Sequence, residues 1–372
     1  MDAFKGCLSS LDAGHAVALG LRRVFMDADI VVSPIADGGE GTLEALATIE
    51  RARRVQCCTE NPLGEPIQAE YLILPGHLAV IEIAQAAGLN LTQRRDPLHA
   101  STYGVGLLIR DAIDKGCRQF FIGLGGSATN DGGAGMLQAL GFQFTDLHGN
   151  PIPRGAIGLK ELAGLDESHV LPAFHECSFD VACDVTAPLC GPSGASMVFA
   201  PQKGATLQNI QDMEHWLAHY SGIVQKYRSG ADPNAQGAGA AGGLGFALKT
   251  FCHAELQSGL PLIAKHLKLD EKIRNADYIF TGEGKIDAQT AMGKVPAGIA
   301  SIARPYRKPV IALTGSIDGS LESIDSLGLS AVFAIQKRPC SLSESMCSQT
   351  AQTNLSDTAE QIARLIQLSR HS

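Results

Sequence analysis

Carboxylates sit inside glycine-rich runs at three places in the chain. Asp37 and Glu40 lie in Ala36-Asp37-Gly38-Gly39-Glu40-Gly41-Thr42. Asp131 lies in Gly125-Gly126-Ser127-Ala128-Thr129-Asn130-Asp131-Gly132-Gly133-Ala134-Gly135. Glu283 and Asp287 lie in Thr281-Gly282-Glu283-Gly284-Lys285-Ile286-Asp287. A further carboxylate, Asp184, closes the apolar run that begins at Phe179. Glycine lets a backbone turn sharply and approach a ligand closely. Free N–H groups at a helix N-terminus favour phosphate. Carboxylates in the same place would repel a phosphate unless a divalent cation lay between, so the combination implies phosphate held together with Mg2+. One such loop would be ordinary turn sequence, because Asp and Gly are turn residues for their own reasons. Three of them at strand ends favour a site.

Cationic groups in glycine contexts stand out in this lysine-poor chain: Lys5 before Gly6, Lys203 before Gly204, Lys285 and Lys294. A lysine beside a strand-end loop can pair with a substrate carboxylate or with a phosphoryl group in transfer. Other motifs fall away. Gly237-Ala238-Gly239-Ala240-Ala241-Gly242 fits a dinucleotide fingerprint by pattern, but Asp232-Pro233-Asn234 precedes it where a strand is required. It can still serve as a loop that feeds phosphate to the next helix. No Walker-type loop and no nucleophile-elbow Ser motif occurs. His215 and His219 are one helical turn apart without the Glu that a zinc protease needs, and read as a solvated face. The ten cysteines include no C-x-x-C pair, so they read as reduced thiols and not as a disulfide or zinc framework.

The elements that must position these residues follow from periodicity. Ser9 caps a helix running to about Phe25, with Ala16, Leu19, Leu21 and Val24 on its apolar side. Asp29 to Ile35 is a short β-branched run expected as a buried strand feeding the first glycine-rich turn. Short strands in 54–60, 70–75 and 79–84, separated by turn residues such as Asn61-Pro62-Leu63-Gly64, predict antiparallel pairing. Strands are expected at Gln119 to Leu124, Phe179 to Asp184, Tyr278 to Phe280, Pro309 to Leu313 and Ala331 to Ile335. Helices are expected at Thr102 to Ala112, Leu207 to Tyr227, Phe246 to His253, from near Pro296, and at Leu355 to Leu368. This alternation predicts an α/β fold of two domains. Residues 1–55 and 270–372 would form a Rossmann-like parallel-sheet domain built from both chain ends. Residues 56–269 would form an inserted mixed α/β domain, with the active site in the cleft between them.

Composition sets the outer limits. Glycine accounts for 41 of 372 residues, or 11% (41/372), above the usual ~7%. With 30 basic and 38 acidic side chains the net charge is −8, so the basic footprint of a nucleic-acid binder is absent. No apolar run approaches the ~20 residues of a membrane span, and the N-terminus has no signal-peptide core. These features point to a cytoplasmic protein.

In order along the chain, several runs together resemble the type 1 bacterial glycerate kinase family. They are Asp2-Ala3-Phe4-Lys5-Gly6, Ala36 to Thr42, Gly125 to Gly135, Ala182 to Val185, Gly191 to Ala195, Pro201 to Ala205, Gly237 to Gly245 and Thr281 to Thr290. The resemblance implies ATP-dependent phosphorylation of D-glycerate with Mg2+, favouring 2-phosphoglycerate over 3-phosphoglycerate, within organic-acid (glyoxylate and glycerate) metabolism. Members usually begin with an apolar strand ending in a Pro-Asp-Ser-Phe-Lys-Gly-like run, whereas here Met1 stands where the proline would be. Losing a central parallel strand would cost more than a typical margin of ~5–15 kcal/mol. The expectation is a true start upstream of Met1.

Phosphoryl transfer needs positioned phosphates, a metal and an oriented hydroxyl. The expected assignments are Asp184 or Asp131 as the base, with Asp287 and Lys5 also catalytic. Substrate would be held by Asp2, Lys5, Ser127, Lys203 and Lys285. Backbone at Gly38, Gly39, Gly125, Gly126, Gly239, Gly242, Gly282 and Gly284 would hold ATP phosphates. Asp37, Glu283 and Asp287 would hold the metal. A sugar-acid dehydrogenase would instead need a strand-led dinucleotide fingerprint, and a DNA-binding regulator a basic face. Oligomeric state is open, a homodimer among the options.

Overall fold

The computed structural model describes every residue except 5, 288, 289, 291–293, 319–326, 371 and 372. The fold is mixed α/β with mostly parallel sheets. Contacts divide the chain into two compact units. A middle unit comprises Gly38–Leu43 and Glu50–Gly259. A terminal unit comprises Met1–Asp37, Glu44–Ile49 and Leu260–Ser372.

The middle unit holds strands β1 (Arg53–Glu60), β2 (Pro66–Leu74), β3 (Leu78–Glu82), β4 (Gln119–Gly123), β5 (Gln143–Thr145), β6 (Gly164–Asp166), β7 (Ser178–Ala182) and β8 (Glu255–Gln257). Six of them form one sheet in the order β1-β2-β3-β4-β7-β8, while β5 and β6 pair separately. The first two pairings are antiparallel, as the short spacing of 54–84 predicts. The Asn61 side chain accepts from the Leu63 and Glu65 amides and so makes the tight β1–β2 turn, with Gly64 at φ +83°. Such a turn can join only antiparallel neighbours. The β3–β4, β4–β7 and β7–β8 pairings are parallel.

All of β3 and nearly all of β4 are buried, as the inner strands of a covered parallel sheet must be. Phe120 and Phe179 stack across β4 and β7 with centroids 4.8 Å apart. Helix Tyr103–Asp114 buries Val105, Leu108, Ile109 and Ala112 on one stripe. Helix Leu207–Tyr227 starts where expected, held by a Thr206–Asn209 capping box.

The terminal unit contains β9 (Ile279–Ile286), β10 (Val310–Ile317) and β11 (Ala331–Ala334), all parallel, in the order β11-β10-β9. Helix Ser10–Arg22 packs on helix Ser348–Arg370, which buries Ala351, Leu355, Ala359 and Ile362 toward it. A side chain at Gly20 would put its Cβ 1.9 Å from the Ser356 carbonyl oxygen, so the two helices meet this closely only over glycine.

Four expectations change. Residues 29–35 form no strand, and Val31 is 61% exposed. A strand needs a hydrogen-bonded neighbour, and among the described residues this segment joins no ladder; the Ile35 amide donates instead to the Ser10 hydroxyl. Leu19 faces solvent, and the apolar side of its helix is carried by Ala13, Ala16, Val17 and Leu21. Strand β9 does not stop at Phe280. Its parallel ladder with β10 runs on through Ile286, so Gly282 and Gly284 are strand residues and not loop residues. The closing helix begins at Ser348, seven residues before Leu355.

Candidate active site

The carboxylates of the sequence separate into two differently built sets. In the terminal unit, Glu283 projects from β9 and is 5% exposed, while Asp287 lies one residue past the strand's carboxyl end. Thr290 ties them together. Its hydroxyl donates to Glu283 Oε1 at 2.7 Å and accepts from the Asp287 amide at 3.1 Å, and its own amide donates to the Asp287 carbonyl at 3.0 Å. Lys294 Nζ stands 3.8 Å from Glu283 Oε2 and 3.8 Å from Asp287 Oδ1. Lys285 Nζ lies 2.8 Å from Asp318 and 3.7 Å from Asp287. Burial pushes the Glu283 carboxyl above the usual range; the Thr290 hydrogen bond and Lys294 oppose this, while the Asp2 and Asp287 charges add to it. Asp2 is buried, and its amide donates to the Gly282 carbonyl at 2.8 Å, one residue before Glu283.

In the middle unit, Asp131 is fully buried and accepts five hydrogen bonds. Oδ2 takes them from the Thr102 amide (2.8 Å), the Thr102 hydroxyl (2.9 Å), the Ser101 hydroxyl (3.3 Å) and the Gly135 amide (3.2 Å). Oδ1 takes one from the Gly133 amide at 3.1 Å. The carboxylate thereby satisfies amides at the start of helix Ala134–Ala139 and fixes the start of helix Tyr103–Asp114. A base must present an oxygen to the hydroxyl it deprotonates, and Asp131 presents its oxygens to the protein. Burial raises its carboxyl above the usual range, against the pull of the Thr102, Gly133 and Gly135 hydrogen bonds.

Lys203 is also interior, 2% exposed, and donates to the Thr129 carbonyl at 2.6 Å. Burial brings its ammonium down to about 7, with the Asp131 charge acting the other way. Through the Thr129 carbonyl it ties down the Gly125–Gly135 loop. Asp184, by contrast, is exposed just past the carboxyl end of β7, where ligands of open α/β sheets bind. Ser127 is buried beside β4, bridged to Gly88. Lys5 lies outside the described residues.

The glycines expected at phosphate answer first to packing. A Cβ at Gly125 would fall 2.7 Å from the Gly39 Cα, and one at Gly38 would fall 2.3 Å from the Ala182 Cβ. Two turns pass each other there at backbone distance. Gly242, at φ +69°, would meet the Thr129 carbonyl oxygen at 2.0 Å, and Gly239 the Pro188 carbonyl oxygen at 2.2 Å; both are buried. Gly282 would meet the Leu313 carbonyl oxygen of β10 at 2.0 Å. Gly126 is exposed at φ +72°. Gly41, at φ +92°, has open space where a side chain would be, a position that the glycine assignments leave out.

Sequence reasoning also passed over Thr290, although it stands three residues after Asp287 at the spacing of a side-chain turn. It passed over Glu82 as well, a carboxylate buried in an otherwise apolar strand whose Oε1 accepts from the Leu43 amide at 2.8 Å. An acid in an all-apolar run is itself the signal, because burial demands donors.

Among the described residues no group of three or more His, Cys, Asp or Glu is gathered closely enough to hold a metal ion by itself. Asp37 of the expected trio is half-buried. The donors present are nonetheless oxygens, and a cation already sits between two of the carboxylates. Mg2+ binds through one or two carboxylates plus substrate phosphates and keeps several waters, so Glu283 and Asp287 fit it without a three-carboxylate cage.

Comparison with known proteins agrees along the whole chain. The model of the glycerate kinase family matches residues 1–367. Glycerate kinase of Halalkalibacterium halodurans is 42% identical over 365 residues, 97% of this chain and 96% of that one. Glycerate 2-kinase of Escherichia coli K12 is 42% identical over 337 residues, 90% of this chain and 88% of that one. A crystal structure of a protein assigned as glycerate kinase 2 from Salmonella typhimurium LT2 superposes with a TM-score of 0.89 at 41% identity, covering 100% of this chain and 98% of that one. The chain belongs to the glycerate kinase family.

Proposed function

We propose that the protein transfers the γ-phosphoryl group of ATP to D-glycerate with Mg2+, giving 2-phosphoglycerate, in cytoplasmic organic-acid catabolism. The observation that carries this is the Glu283–Asp287–Lys294 set: two carboxylates and an ammonium at the carboxyl end of a parallel strand, braced by Thr290. The product regiochemistry leans on the name of the Escherichia coli relative, a glycerate 2-kinase. Among the described residues no helix is long and apolar enough to cross a membrane.

The residues divide the work as follows. Asp184 accepts the proton of the attacking glycerate hydroxyl, being the exposed carboxylate at the end of β7. Glu283 and Asp287 hold the metal that comes with the nucleotide, and Asp37 joins them. Bound Mg2+ supplies charge neutralisation for the phosphates. Lys285 and Lys294 pair with anionic groups of the reactants, the role the sequence also gives Lys5, and Asp2 accepts a hydrogen bond from a glycerate hydroxyl. Amides near Gly39, Gly41 and Gly126 are open enough to meet phosphate. Asp131 and Lys203 act at one remove by fixing the loop after β4.

A coupled ADP-release assay with D-glycerate and Mg-ATP tests the proposal, followed by NMR of the product. ADP release that depends on D-glycerate, and phosphorus coupled to the C2 proton, are expected. No release with D-glycerate would overturn the activity, and coupling to the C3 protons would overturn the regiochemistry.

A further inference from the structure

Ten cysteines are all free thiols. Two of them, far apart in sequence, sit on segments that touch in the terminal unit. The Cys7 and Leu8 amides donate to the Phe4 carbonyl and close a tight turn, with Gly6 at φ +73°. This turn lies against the start of helix Ser348–Arg370. The Ser348 hydroxyl donates to the Cys7 carbonyl at 2.7 Å, and a Cβ at Gly6 would fall 2.9 Å from the Met346 methyl. Cys347, between Met346 and Ser348, is exposed and occupies the cap position of that 23-residue helix.

We propose that Cys347 and Cys7 form a peroxide-sensitive dithiol, a modification site at which the amino-terminal turn becomes tethered to the carboxy-terminal helix. The amides of the helix start pull the Cys347 thiol below its ordinary value, as they stabilise any anion placed there. Burial, and the nearby charge of Cys347, push the Cys7 thiol up. An accessible thiolate beside a second, less acidic thiol is the arrangement of an attacking and a resolving cysteine.

The chemistry balances with a hydroperoxide as oxidant. The Cys347 thiolate attacks one peroxide oxygen, the O–O bond breaks, and hydroxide leaves, giving a sulfenic acid. The Cys7 thiolate then attacks that sulfur, the S–O bond breaks, and a second hydroxide leaves as the S–S bond forms. Two thiols lose two electrons and the peroxide gains them; both hydroxides take up protons to become water. A small dithiol reverses the step by exchange. The tether would restrain the run carrying Asp2, whose amide bonds Gly282 beside Glu283.

The test uses the full chain, reduced, desalted and exposed to equimolar hydrogen peroxide, then alkylated and mapped by mass spectrometry without reduction. Expected are a peptide pair joined through Cys7 and Cys347, an intact mass lower by two hydrogens, and reversal by dithiothreitol. C7S should stop at a sulfenic acid on Cys347 that dimedone traps, and C347S should abolish the disulfide and leave Cys7 a reduced thiol. The wild-type map decides even if a variant folds poorly. Oxidation of the other exposed thiols, Cys58 or Cys340, ahead of Cys347, or pairing of Cys347 with any cysteine other than Cys7, would overturn the proposal.

Discussion

Asp131 and Asp287 both follow a parallel strand through glycine-rich sequence, yet the protein treats them in opposite ways. Asp131 is shut in and accepts five hydrogen bonds from Ser101, Thr102, Gly133 and Gly135. Asp287 keeps a side chain 22% exposed and shares partly exposed lysine ammoniums with Glu283 and Asp318. A buried carboxylate surrounded by amides is committed before any ligand arrives. One held by exposed lysines can exchange those partners for a reactant. The lesson is that an acid in a glycine-rich loop has two uses, bracing the loop or meeting the ligand, and burial separates them.

The largest effect expected from this contrast is catalytic. Asp287→Asn and Asp184→Ala should each lower kcat by ~10² or more, with Tm close to that of the parent. Steady-state rates and calorimetry on the same preparations check both halves. Near-normal turnover in both variants would remove the open set from the reaction.

The converse holds for Asp131→Asn. An amide NH2 would be turned toward backbone N–H groups, which only donate, leaving a buried network broken at a cost of about 3 kcal/mol. For a unit of this size that is a fall in Tm of roughly 10 °C, while kcat of the folded fraction stays within ~3-fold. A dead enzyme with an unchanged Tm would reverse the roles assigned to the two aspartates.

Lys203 sharpens the comparison through pH. Its folded ammonium titrates at about 7, below the ordinary lysine value of 10.5, because burial disfavours the charge. Between those values the unfolded chain binds a proton that the folded chain has released. Stability from this site therefore rises with pH, by about 2 kcal/mol between pH 7 and 9. Denaturant titrations at the two pH values should show the rise in the parent and lose it in Lys203→Met. Equal pH slopes would mean that Lys203 is charged and solvated like a surface lysine.

How much of this was written in the sequence follows the same division. Local signals were legible. The helix start at Leu207, the Asn61 turn and the helical periodicity from Thr102 each depend on neighbours a few residues apart. The candidates for a site were visible too, because carboxylates and glycines at strand ends can be read as letters. Burial was not, since it is decided by distant partners. Nothing near Asp131 announces that Ser101 and Thr102 will close over it, some thirty residues upstream. Residues 29–35 failed for the same reason. Their β-branched pattern suits a strand, but a strand exists only where another one pairs with it, and among the described residues none does.

Thr290→Val should produce a smaller change, because it removes a positioning hydroxyl and no reacting group. Glu283 loses its donor at 2.7 Å and the Asp287 amide its acceptor. We expect kcat/KM to fall ~10-fold, with Thr290→Ser restoring it to within ~2-fold. Failure of serine to rescue would show that the threonine methyl, and not the hydrogen bonds, sets the geometry.

Lys285→Ala should give the smallest effect. Its ammonium is already paired with Asp318 at 2.8 Å, and both side chains are at least half exposed, at 50% and 70%. Exposed pairs of this kind contribute little, so stability should hardly move. If the ammonium also meets the glycerate carboxylate, it does so in water and already shared with Asp318 and Asp287. The KM for glycerate should then rise only ~3-fold, with kcat unchanged, since attraction of this kind is felt equally by the ground and transition states. Added salt should erase the difference between variant and parent. A loss in kcat of ~10² would instead place Lys285 on the transferring phosphoryl group, as strongly engaged as Asp287. Side-chain exposure in the ligand-free protein would then no longer rank the open set by importance.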